Sequence, residues 1–174
     1  KSGLYPLLAA YNVYSRKIKK LKKPEEKIAK EVWNKVLKEN IYVLCKSRMA
    51  QSITFRTLVG YNEGVKTNIV YIDDLIKKIQ QKNEYKDYDL KVELLEKFNL
   101  EKDMKFTATV GNPPYQEHTK DTSDNPIYHL FMDESYKLAD KVVLIHPARF
   151  LFNAGKTPKE WNETILNDKH TKVI

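Results

Sequence analysis

Four short apolar runs limit how this chain can fold: Ile41–Cys45, Asn68–Ile72, Phe106–Val110 and Val142–Ile145. Each is only long enough for a strand, and helix-period sequence lies between them. Leu4, Leu7, Leu8, Tyr11, Tyr14, Ile18 and Leu21 recur every three or four residues and predict one apolar stripe of a helix over 5–21. Pro6 suits its first turn, and Gly3 just before it suits a loop opening a helix. A second helix is predicted over 24–40, with Glu25 and Glu26 at its positive end. Residues 47–58 read as helical or irregular, and Gly60, Asn62 and Gly64 mark a loop. Further helices are expected over 75–81, 90–98 and 127–138, with polar loops over 82–89 and 117–125, the latter expected to be mobile. Thr157-Pro158-Lys159-Glu160 has the spacing of a capping box with Pro at the first helical position, for a helix to 167. Thr171–Ile174 resembles the start of a fifth strand. This alternation predicts an α/β fold with a mostly parallel sheet and flanking helices. The unbroken apolar runs are those of strands covered on both faces.

The third run leads directly into Asn112-Pro113-Pro114-Tyr115. Two successive prolines cannot continue a central strand, so the strand must end there in a stiff turn. That turn holds an amide and an aromatic ring at the carboxyl end of a strand, where open α/β sheets bind ligands. The group has a specific use. An exocyclic amine conjugated to a ring is a poor nucleophile. It improves when two carbonyl oxygens accept its N–H bonds and its lone pair is freed toward an electrophile. The Asn112 side chain and the Pro113 backbone each offer one such oxygen, and Tyr115 can stack on a planar substrate. No strong base is needed, since the proton can leave after transfer; catalysis rests on positioning and electrostatics. A duplex base must first be flipped out to reach such a turn. The competing reading is an ordinary rigid turn after a strand.

Composition narrows the partners. The chain has 174 residues, enough for one domain with a core, and no apolar run approaches the length of a membrane span. It opens at Lys1 without Met or a secretory signal, as expected of a fragment or processed chain, and a cytoplasmic location is expected. A single cysteine, Cys45, excludes an intrachain disulfide and a Cys-rich zinc site, and no metal is expected. Net charge is +8, but residues 1–60 hold 14 Lys or Arg against 4 Asp or Glu. Arg16, Lys17, Lys19, Lys20, Lys22 and Lys23 crowd into eight positions. This run reads either as a nucleic-acid contact or as a solvated helix end that complements the dipole.

The stretch Val110-Gly-Asn-Pro-Pro-Tyr-Gln116 resembles the catalytic motif of amino-methyltransferases that use S-adenosylmethionine. Together with Lys1–Leu7, Ile41–Lys46 and Ile145–Phe150, the chain resembles the N6-adenine DNA methyltransferase core of bacterial type II restriction–modification enzymes, including those fused to an endonuclease. The resemblance implies a partial Rossmann-like methyltransferase fold, with 1–174 as one incomplete catalytic domain. DNA is the implied partner, and the nuclease and target-recognition domains are implied to lie elsewhere in a longer chain. It places Ser2 and Gly3 in the glycine loop near the cofactor and Cys45 near its ribose. Asp73 and Asp74 fall near the cofactor adenine or the target. Asn112, Pro113, Pro114 and Tyr115 act on the amine, and Gln116, His146, Pro147, Arg149 and Phe150 line the pocket. The acid expected on the ribose is absent; Cys45-Lys46 stand there.

Each assignment has a structural counterpart. Asp73-Asp74 is also a helix N-cap pattern, Ser2-Gly3 a simple helix start, Cys45 a small buried residue, and His146 and Arg149 structural residues of a turn. Alternative functions are methylation of an RNA base or a protein glutamine, or a truncated, non-catalytic nucleic-acid-binding remnant.

Overall fold

The computed structural model describes residues 3–21, 24–62, 64–80, 88–117, 125–152 and 156–172. The chain divides into two compact units, Lys1–Ile76 with Glu93–Lys102, and Lys77–Val92 with Asp103–Ile174. No helix of the described residues is long and apolar enough to cross a membrane.

The first unit contains α1 (Leu4–Ile18), α2 (Glu26–Glu39), β1 (Tyr42–Cys45), α3 (Arg48–Val59) and β2 (Asn68–Tyr71). β1 and β2 pair in parallel, Val43 opposite Ile69 and Cys45 opposite Tyr71. Ala10, Val36, Leu37, Ile41 and Leu58 form the core beneath them. Asn68 ties β2 to the end of α2, its amide donating to the Lys38 carbonyl at 2.7 Å and the Ile41 carbonyl at 3.1 Å. The bond to Lys38 satisfies a carbonyl that the end of α2 leaves open. The segment after β1 is a helix because the Ser47 hydroxyl caps it, accepting from the Ala50 N–H at 3.1 Å. Gly60 ends it at φ 61°, a conformation glycine adopts without strain. The short helices α4 (Leu75–Gln80) and α5 (Leu90–Lys97) straddle the division between units.

The second unit contains β3 (Phe106–Gly111), β4 (Gln116–Glu117), β5 (Asn125–Pro126), α6 (Tyr128–Leu138), β6 (Ala139–Leu144), a 3-10 turn (Ala148–Phe152) and α7 (Lys159–Asn167). β3 and β6 pair in parallel, with Val110 opposite Val143 and Gly111 opposite Leu144. Tyr128, Met132, Phe150 and Ile165 form the core, with Leu144 and Trp161 packed against it.

The expected α/β alternation with parallel strand pairs is present, and several details differ. α1 stops at Ile18 rather than 21, because Lys20 and Leu21 donate to carbonyls three residues back and the last turn tightens. Its buried face runs through Leu7, Ala10, Val13 and Tyr14, leaving Leu4, Leu8 and Tyr11 exposed. The helix is apolar around so much of its circumference that periodicity alone does not select the buried face. β6 begins at Ala139, directly after α6, whereas the apolar run began at Val142; exposed Asp140 and Lys141 hid the first half of the strand. β3 and β6 are not covered on both faces, since Val110 and Val143 are 55% and 58% exposed. The ends of the expected polar loop form the antiparallel pair β4–β5; residues 118–124 lie outside the described residues. The capping box does not form. Pro158 occupies the N-cap, and the Thr157 hydroxyl instead bonds the Tyr128 hydroxyl at 2.6 Å. Thr171 and Lys172 are not strand, and 173–174 lie outside the described residues.

Candidate functional site

In the second unit, Asn112 follows the last residue of β3 and His146 follows β6 by two residues. The parallel register continues past the strand ends, the Ile145 N–H donating to the Gly111 carbonyl at 2.9 Å. Adjacent parallel strands lie about 4.8 Å apart. The sheet therefore delivers Asn112–Tyr115 and Ile145–Phe150 side by side at its carboxyl end. Asn112 is exposed, and its side chain makes no hydrogen bond within the described residues. Pro113 and Pro114 are half-buried, and Tyr115 is 36% exposed. The turn is held from behind, the Tyr115 carbonyl accepting from the Ile127 N–H at 3.0 Å, one residue before α6. Gln116 opens β4 opposite Pro126. An unengaged amide oxygen on a rigid backbone suits a site built for hydrogen-bonding a substrate amine.

The neighbouring wall is aromatic. His146 stacks on Tyr128 with ring centroids 5.6 Å apart and planes 7° from parallel, and it tilts against Phe150 at 5.4 Å. Its Nδ1 lies 3.2 Å from the Pro147 carbonyl, which can only accept, so this contact favours the tautomer protonated at Nδ1. Phe150 is buried, whereas Arg149 is exposed and makes no ion pair within the described residues. Behind this wall Trp161 donates to Asp133 at 2.9 Å and meets Tyr128, His129 and Phe150 edge-on. Burial holds the His129 imidazole below its usual pKa, partly offset by Asp133. Tyr128 and Trp161 carried no motif in the sequence, and Thr157 was marked only by a capping pattern that does not form.

A family model for the Eco57I restriction-modification methylases matches residues 39–174. The chain belongs to this family. No curated protein and no solved structure matches it. The matched span of this Eco57I-family methylase takes in the Asn112 turn, the His146 wall and the ends of β1 and β2, while α1 and nearly all of α2 precede it.

The remaining candidate residues lie in the first unit. Ser2 lies outside the described residues. Gly3 precedes α1 at φ 73°, where a Cβ would stand 2.9 Å from Thr57 Cβ and 3.0 Å from Thr54 Cα, so close packing against α3 alone demands glycine. Cys45 is buried, its Sγ 3.8 Å from Thr54 Oγ1; burial pushes the thiol pKa up and the Thr54 bond partly offsets it. Thr54 thus joins Gly3 to Cys45, a link no motif announced. Asp73 is exposed and pairs with Arg48 at 3.2 Å, and the Arg48 guanidinium lies 5.4 Å from the Tyr71 ring centroid. Burial raises the Tyr71 pKa, and Asp73 raises it further. Asp74 takes φ 53° before α4. Arg16, Lys17, Lys19 and Lys20 lie at and just beyond the end of α1, the other end from Gly3; Lys22 and Lys23 lie outside the described residues. No group of three or more metal-ligating side chains gathers among the described residues.

Proposed function

We propose that this protein is an S-adenosylmethionine-dependent DNA adenine-N6 methyltransferase of a restriction–modification system, with a Rossmann-like fold and 1–174 as part of one catalytic domain. The observation that carries this reading is the Asn112–Tyr115 turn at the carboxyl ends of paired parallel strands in an Eco57I-family chain. The side-chain oxygen of Asn112 and the carbonyl of Pro113 accept the two N–H bonds of a flipped adenine amine. The nitrogen then moves toward tetrahedral geometry with its lone pair directed outward. Tyr115 stacks on the base, Pro114 stiffens the turn, and Gln116, His146, Pro147, Arg149 and Phe150 line the pocket.

S-adenosylmethionine, when bound, supplies a methyl group on a sulfonium. Two features of the chain fit it. α1 opens without an acid or a side-chain cap, so its first-turn N–H groups are available to a carboxylate. Asp73 presents an exposed carboxylate beyond β2 to an amine or hydroxyl donor. Cys45 is packed rather than presented, and Lys46 stands where an acid would hold a ribose.

The test offers duplex DNA, RNA and protein side by side to the full-length protein with methyl-labelled cofactor. Label at adenine N6 of DNA is expected. Label in RNA or on glutamine would move the reading to those substrates. No incorporation, together with no cofactor binding by calorimetry, would leave the non-catalytic remnant.

A further inference from the structure

We propose that the tip of α1 is a sequence-independent anchor for the DNA phosphate backbone, separate from the end of the unit that carries Gly3 and Cys45. The choice of DNA as polyanion rests on the function proposed above. No Asp or Glu occurs in the chain before Glu25, while six of the eight residues from Arg16 to Lys23 are basic. Arg16, Lys19 and Lys20 are exposed, Lys17 is half-buried, and none of the four makes an ion pair within the described residues. The acids that follow are Glu25 and Glu26, and Glu26 is held by Lys30 at 2.8 Å.

The size of the helix dipole decides against a purely local role. A helix C-terminus carries about half a negative charge, and the effect fades beyond the last turn. Arg16 and Lys17 in that turn already exceed it, whereas Lys19 and Lys20 lie past the helix. This surplus is left to solvent or a partner. At a rise of about 1.5 Å per residue, Arg16 is about 20 Å along α1 from Gly3. Phosphates engaged there are about six base pairs from any reaching the Gly3 end, so the contact supplies affinity rather than target choice.

The test compares wild type with R16Q/K17Q/K19Q/K20Q in the full-length protein, titrating a random-sequence DNA duplex by fluorescence anisotropy across a salt series. Each phosphate contact contributes about 0.9 to the slope of log affinity on log salt. The slope is expected to fall by about 2 to 4 and affinity at about 0.1 M salt to drop at least tenfold. Methyl transfer at saturating DNA should stay within about twofold, and the melting temperature should be unchanged. A charge-neutralising control, K169Q/K172Q, should leave the slope intact. An unchanged slope in the fourfold variant, an equal fall in the control, or a larger loss on anionic phosphatidylserine vesicles than on DNA would overturn the anchor. If wild type binds DNA with this salt dependence but methylates nothing, the enzymatic reading fails while the anchor stands.

Discussion

Asn112 concentrates the proposed chemistry in one amide oxygen. Asn112→Ala is expected to lower single-turnover methyl transfer by about 100- to 1,000-fold, the scale of losing one preorganised electrostatic group. The melting temperature should hold, because the side chain makes no bond within the described residues. Gly3 should behave oppositely. Gly3→Ala forces a Cβ to 2.9 Å from Thr57 Cβ at φ 73°, and an unfolding titration should register a loss of about 1–3 kcal/mol. His129 predicts an acid-sensitive fold. Its folded pKa is depressed by burial, so below its ordinary value near 6.5 the unfolded chain binds more protons than the folded one. Its contribution is therefore fully present above that value. It declines as pH falls toward the folded pKa, below which it changes no further. Melting curves at pH 7.5 and 5 should show a drop that His129→Phe reduces; an identical drop in both proteins would rule this origin out. Residues of the first kind were legible in sequence, because Asn-Pro-Pro-Tyr is contiguous. The packing need of Gly3 and the burial of His129 were not, because the partners of Gly3 lie over fifty residues away and those of His129 include Trp161.

At the scale of elements, β1, β2 and β3 fall within one residue of their apolar runs, and the largest departures, of three residues, are the end of α1 and the start of β6. The start of β6 carried no apolar signal because Asp140 and Lys141 fall in its first half. The Thr157 capping pattern failed for a tertiary reason, since its hydroxyl serves Tyr128. That bond joins α6 to the segment before α7 behind the His146 wall. Tyr128→Phe and Thr157→Val should each cost about 1–3 kcal/mol in urea unfolding by leaving a buried hydroxyl unpaired. The double variant should cost clearly less than their sum. Strict additivity would mean that the two hydroxyls do not stabilise one another.

Over the whole molecule, the candidate cofactor residues and the methyl-transfer turn belong to different compact units. Their defects should accordingly separate. Asp73→Asn is expected to weaken calorimetric binding of S-adenosylmethionine about tenfold, as for loss of one charge-assisted hydrogen bond. Asn112→Ala should leave that affinity unchanged. Equal weakening by both would refute the division of roles. The local signals in the sequence determined the alternation of helices and strands, the stiff end of β3, the concentration of positive charge before residue 61 and the chemistry available to Asn112. Each depends on residues near one another in the chain. Tertiary structure decided which face of α1 is buried, why Gly3 must be glycine, that Cys45 is packed and Asp73 presented, and which strand stands beside β3. Those outcomes depend on pairings between distant segments, and a parallel pair such as β3–β6 is joined through an intervening helix rather than a local turn.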